Sequence, residues 1–165
     1  MKPYDVNIVT DYIIMRLTSD EDDKRMDLIN LKLQKLLYYV QAWSYGIEGK
    51  RFLDTTFEAW VHGPVSREIF NRFKDTKNLY SSIGFADVLD KDAAEKIDEG
   101  DRSFVDYVLD NYAGFSGTEL EVMTHKEQPW IEARKGYEPL QHCTEEITEA
   151  SMIKYYGDRW KQIES

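Results

Sequence analysis

Apolar positions along the chain fall mostly at helical spacing, and they concentrate in one stretch. Between Asn30 and Ile47 the sequence reads NLKLQKLLYYVQAWSYGI. Ile29, Leu33, Leu36, Val40, Trp43 and Ile47 recur in steps of four and three, the stripe of an α-helix. Leu31, Tyr38, Ala42 and Tyr45 form a second apolar face opposite the first. Thin polar strips separate the two, Gln34 with Gln41 on one side and Lys32 with Lys35 on the other. No charge occurs from Leu36 to Ile47. A helix apolar on nearly all sides is buried. At roughly 27 Å it is too short, and too polar at its start, to span a bilayer. The pattern therefore predicts a central helix over about 30–47 with other helices wrapped around it.

The flanking segments supply those helices. Asp5 is placed to cap a helix from about Val6 to Leu17, with Val6, Val9, Ile13 and Leu17 on one face. Ser19 to Arg25 reads as a solvated loop, after which Asp27 or Asn30 opens the central helix. Gly46 and Gly49 bracket its end. Phe57, Ala59 and Val61 alternate with polar neighbours, which predicts at most a short β-hairpin near 51–61. Gly63 and Pro64 then suit a turn and the first turn of a helix running to about Lys74, burying Val65, Ile69, Phe70 and Phe73. Residues 76–90 read as a loop with room for a short helical turn. Lys91 to Asp98 is compatible with helix, and Asp101 to Tyr112 is a clearer one. Ser116-Gly117-Thr118-Glu119 has the form of a capping box and opens a short helix. Pro129 starts the next. Thr148 caps the last, with Ile147 and Met152 as a hydrophobic staple. The expected fold is mainly α, a compact single domain over 1–165 with about seven helices.

Charge narrows the function. Asp and Glu number 31 against 21 Lys and Arg, a net charge of −10. A phosphate-backbone binder needs a basic surface, so nucleic acid is not an expected partner. The N-terminus lacks a basic region before an unbroken apolar run, so no signal peptide is read there. No membrane segment is seen either, and the cytoplasm is the expected compartment. The single cysteine, Cys143, excludes an internal disulfide and a four-cysteine zinc site.

Candidate chemistry is sparse. His62, His125, His142 and Cys143 show no metal-ligand spacing, and no metal or other cofactor is expected. Gly114 to Thr118, GFSGT, differs from a nucleophile elbow in its last residue and follows no strand. Paired carboxylates such as Asp22-Asp23, Asp98-Glu99 and Glu145-Glu146 read as solvated faces in an acidic chain. No catalytic residue is assigned. The aromatic content is the less usual feature: Tyr38, Tyr39, Trp43, Trp60, Trp130, Tyr156 and Trp160 suit core packing, and a few suit interface anchors.

Four blocks resemble one family in its order: LKLQKLLYYVQAW (31–43), FEAWVHGPV (57–65), SGTELEVMTHKEQPWIEAR (116–134) and ITEASMIKYY (147–156). Together they are similar to the Panacea domain, long a domain of unknown function and associated with phages. The resemblance implies the antitoxin of a two-gene toxin–antitoxin system, paired with a toxin from a neighbouring gene and neutralising it by direct binding. One relative delivers its toxin to a protease, so a proteolytic adaptor is the alternative. An enzyme reversing the toxin's chemistry is a further one. A homo-oligomer stays open. The family offers no catalytic residues to carry over. Its motif positions here are Leu31, Gln34, Lys35, Tyr38, Trp60, Gly63, Pro64, Val65, Thr124, His125, Pro129 and Trp130. Gln34, Lys35, Tyr38, Trp60, His125 and Trp130 are the partner-binding candidates. Leu31, Gly63, Pro64, Val65, Ser116, Thr124 and Pro129 are read as structural. Some members add a zinc-binding or helix-turn-helix segment that binds their promoter. With one cysteine and the first helix at its start, this chain is not expected to bind its own promoter directly.

Overall fold

A computed structural model describes residues 2–18 and 27–165; the loop expected over Ser19 to Arg25 lies outside them. The axis is α2, Asn30–Glu48, and every residue from Leu31 to Tyr45 is buried. Around it lie α1 (Val6–Thr18), α3 (Arg67–Phe73), α4 (Glu99–Tyr112), α5 (Gly117–His125), α6 (Gln128–Ala133) and α7 (Glu149–Glu164). A two-stranded antiparallel hairpin, β1 (Glu58–Trp60) and β2 (Gly63–Val65), and two 3-10 turns, Phe85–Asp87 and Ala93–Lys96, complete the described elements. The fold is mainly α, with seven α-helices among the described residues, as the periodicity predicts. One apolar cluster takes side chains from α1 to α7 and the hairpin. No helix among the described residues is long and apolar enough to cross a membrane.

The polar strips of α2 are buried along with its apolar faces. Their tips replace the hydrogen bonds that irregular backbone would otherwise lack. Gln41 donates to the carbonyls of Leu53 and Thr55 at 3.0 and 3.2 Å and accepts from the amides of Phe52 and Leu53 at 3.0 and 2.8 Å. Gln34 does the same for Ser66, accepting its N–H at 2.8 Å and donating to its carbonyl at 3.1 Å. Lys32 Nζ donates to the Ala113 carbonyl at 2.6 Å. α2 thus holds the loops in place as well as supplying the core.

Several termini form as predicted. Asp5 accepts the Asn7 N–H at 2.8 Å. Ser116 and Glu119 complete their capping box, and Thr148 accepts the Ser151 N–H at 3.1 Å. α2 differs. Its cap residue is Ile29, with no side-chain bond. The amides of Asn30 and Leu31 donate instead to the carbonyls of Ser81 and Leu79, at 3.0 and 2.9 Å. The 76–90 loop therefore serves as the cap.

The hairpin is displaced from the expected 51–61. Residues 51–56 bend at Asp54 and Thr55 and are held by Gln41, and Gly63-Pro64-Val65, expected to turn and start a helix, forms β2. Helix α3 begins at Arg67 behind Ser66. Ala59, opposite Pro64, sends its N–H outward to the Glu145 carbonyl at 2.8 Å. That pair exchanges no hydrogen bonds, so the missing N–H of Pro64 costs the ladder nothing. Gly63 has φ +102, and a Cβ there would stand 2.5 Å from Lys35 Cε. Both the backbone shape and the close lysine stem exclude a side chain.

Candidate functional site

The hairpin, the first turns of α2, and α3 with the residues after it enclose a cleft of about 660 Å³. Gln34, Lys35 and Asn30 line it from α2, Trp60, Val61, His62 and Val65 from the hairpin. Phe70, Lys74, Lys77, Asn78 and Leu79 form the opposite wall, with His142 at one side. Its size falls in the usual range for ligand pockets, about 300–1,000 Å³.

Trp60 dominates one wall. Its indole N–H donates to Glu58 Oε1 at 2.8 Å, and its ring stands edge-on to Phe70 at 4.9 Å. The Arg67 guanidinium lies 5.3 Å from the ring centre and pairs with Glu58 at 2.8 Å. Burial alone would raise the Glu58 carboxyl, but the Arg67 and Trp60 hydrogen bonds hold it below the ordinary range. The Trp60 ring is thus oriented before anything binds. Phe70 corrects an expectation: its helical spacing places it in the core, yet it is 37% exposed. It occupies a helical core position, but the cleft opens in front of it.

The other candidates divide. Gln34 and Lys35 form floor rather than surface, each nearly fully buried. Lys35 Nζ donates to the Pro64 carbonyl at 3.1 Å. His125 and Trp130 brace the back of the hairpin. Their rings stack at 4.1 Å, and the Trp130 indole donates to the Trp60 carbonyl at 2.9 Å. Desolvation lowers the His125 imidazole below its ordinary value. Tyr38 lies elsewhere, in the core, with its hydroxyl 3.1 Å from that of Tyr156. Leu31 is core, Val65 lines the cleft, and Thr124 is buried with its hydroxyl on the Glu121 carbonyl at 2.8 Å. Ser116 caps α5 and Pro129 sits in the first turn of α6. The sequence gives Lys74, Lys77 and Leu79 no site role, reads Phe70 as core, and weighs His142 only as a metal ligand. They come from two separate segments, 70–79 and 142, and only the fold brings these to the hairpin and α2.

A second concavity of about 200 Å³, between α4 and α7, is lined by Trp43, Tyr107, Tyr112, Phe115 and Trp160 among others, and by none of the motif positions. Among the described residues no group of three or more His, Cys, Asp or Glu gathers where a metal ion would sit.

Lys35 carries a measurable consequence. Burial pushes its amine down from 10.5 to about 7, against the field of Glu121, which raises it. An unfolded lysine keeps its proton to about pH 10.4. Between about 7 and 10 the unfolded chain then binds a proton that the folded chain lacks. Stability therefore rises with pH across that window, and the full cost of the buried amine is present below it. Lys35→Met removes the cost and leaves the Pro64 carbonyl without its donor. The expected net gain is about 1–3 kcal/mol at pH 6.5, with a flatter pH profile. Denaturant unfolding from pH 6.5 to 9 tests this. An unchanged slope in the variant would contradict it.

A family model described as antitoxin SocA-like, Panacea domain, matches residues 33–131, more than half of the chain, from α2 through α6. No curated protein matches the chain, and no solved structure does.

Proposed function

The chain belongs to the SocA-like antitoxin family of Panacea domains, and from that premise we propose that it neutralises a cognate protein toxin by binding it directly. The family match carries this reading. The cleft supports it as a docking face: an oriented tryptophan and a partly exposed phenylalanine at the centre, with lysines, histidines and asparagines around them. Interfaces concentrate their energy in such anchors within a polar rim. Occluding a toxin needs no bond-making by the antitoxin, so no catalytic residue is assigned. Gln34, Lys35, His125 and Trp130 would act from behind, fixing the hairpin that presents Trp60. Tyr38 would act further back still, within the core.

The test is growth rescue. The adjacent open reading frames are expressed from an inducible promoter with and without this chain, which carries an affinity tag. The expected result is toxicity from one neighbour alone, growth when both are present, a co-purifying complex and an unchanged toxin half-life. Trp60→Ala, checked for folding by circular dichroism, should weaken the complex by about tenfold or more. Rescue with a shortened toxin half-life would favour an adaptor for proteolysis instead. Absence of toxicity from either neighbour would overturn the reading.

A further inference from the structure

The cleft differs in charge from the chain that forms it. The whole sequence has ten more acidic than basic residues, yet no Asp or Glu is among the described residues lining the cleft. Three lysines and two histidines are. Several have a carboxylate close by: Lys77 lies 3.6 Å from Asp87, His62 3.1 Å from Glu121, and Lys35 is buried within the field of that same glutamate. Lys74 forms no ion pair among the described residues and is exposed at the C-terminal end of α3, with its charge available. Beside it stand the apolar surfaces of Trp60, Phe70 and Leu79. Cations over a low-dielectric wall focus a positive potential inside a concavity, although the chain as a whole is negative.

We infer that, if the cleft is where toxin docks, the segment entering it is acidic: an aromatic or branched aliphatic side chain seated against Trp60, Phe70 and Leu79, with flanking carboxylates facing Lys74 and Lys77. The net charge alone would have suggested a basic partner. The cleft selects the opposite sign locally, and this favours one register, because a segment displaced from the cleft loses these lysines and meets a chain in net acidic excess. An extended nucleic acid fits less well. It would carry its phosphates past the cleft along a chain with ten more acidic than basic residues, whereas a short acidic segment ends within it.

Three capped pentapeptides, each with a central tryptophan flanked by paired glutamates, glutamines or lysines, test this against the intact chain by fluorescence anisotropy. The glutamate peptide should bind about tenfold tighter than the glutamine peptide at about 0.05 M salt, with the lysine peptide weakest, and the gap should narrow at about 0.5 M. Lys74→Glu changes an exposed side chain, which keeps the fold, and should reduce the preference to about twofold or less. Equal binding of the three peptides, preference for lysine, or a preference indifferent to Lys74→Glu would overturn the inference. Failure of the toxin-binding reading looks different. Growth rescue without a peptide preference removes the acidic assignment and leaves neutralisation standing. A clear preference with no toxic neighbour supports the ligand class and removes the toxin as its source.

Discussion

Asp11→Ala is expected to lower folding stability by about 3–5 kcal/mol, the usual cost of stranding one member of a buried ion pair. Asp11 and Arg72 are 1% and 8% exposed and meet at 2.5 Å. Asp11 also accepts the backbone N–H groups of Leu89 and Asp90, at 3.2 and 3.1 Å. Arg72 donates further to Asn7 Oδ1 at 3.3 Å and to the Asp87 carbonyl at 2.9 Å. Together they join α1, α3 and the loop that follows the first 3-10 turn. Alanine would leave a buried guanidinium without its carboxylate and the partly buried amides of Leu89 and Asp90 without their acceptor. Asp11→Asn keeps the shape and one acceptor oxygen, and should lose less. Paired replacement, Asp11→Leu with Arg72→Met, removes both charges and should recover a large part of the loss. Urea unfolding of the four proteins measures this, and a loss under about 1 kcal/mol for Asp11→Ala would contradict it. The effect extends to the cleft, because α3 carries Phe70 and leads into Lys74 and Lys77. Growth rescue by Asp11→Ala should fail at a raised temperature where the parent chain still protects.

Asp11 also shows where sequence reading stops. It lies in a run of apolar residues and nothing local distinguishes it from a solvated aspartate. Its partners are 61 and more positions away. The same holds for Gln34, Lys35 and Gln41. Their spacing reveals a polar strip, but whether a strip faces water or loop backbone depends on loops that only the fold places. Local signals fared better. The uncharged run from Leu36 to Ile47 showed a helix buried on every side, and the Ser116 and Thr148 caps have partners three residues on. Gly63-Pro64 sits between these cases. Glycine then proline suits a helix start as well as it suits a strand whose proline faces a non-bonded position. The Glu145 carbonyl on Ala59 and the Lys35 amine on Pro64 decide for the strand, and neither is near in sequence. The cleft was half legible: Gln34, Lys35 and Trp60 belong to the motif blocks, whereas its outer wall has no sequence signature. Phe70 in particular has the spacing of a core residue.

Two facing glycines give the remaining large effect, with opposite signs. A helix-interior glycine replaced by alanine gains about 1 kcal/mol in intrinsic propensity. On that basis Gly46→Ala and Gly157→Ala should both stabilise. The packing of α2 on α7 separates them. A Cβ at Gly46 would stand 2.6 Å from Tyr156 Cβ and 2.7 and 2.9 Å from its backbone C and O. Backbone cannot swing aside as a side-chain tip can, so α7 must move. That movement would disturb the phenol of Tyr156, which donates to Glu127 Oε1 at 2.8 Å and lies 3.1 Å from the Tyr38 hydroxyl. Tyr39 donates to the same Glu127 oxygen at 2.8 Å. Burial raises the Glu127 carboxyl, opposed by the two tyrosine hydrogen bonds, so separating the helices removes what offsets its desolvation. Overpacking costs about 1–3 kcal/mol and more where backbone is the obstacle. The expected net loss for Gly46→Ala is about 2–3 kcal/mol. A Cβ at Gly157 meets only the Gly46 carbonyl, at 3.5 Å, an ordinary contact. Gly157→Ala should therefore gain about 0.5–1 kcal/mol. Thermal and urea unfolding of the two variants decide the matter. Equal signs would mean that helix propensity, rather than the approach of α7, governs this interface. Opposite signs would locate the contact that holds the last helix against the buried axis.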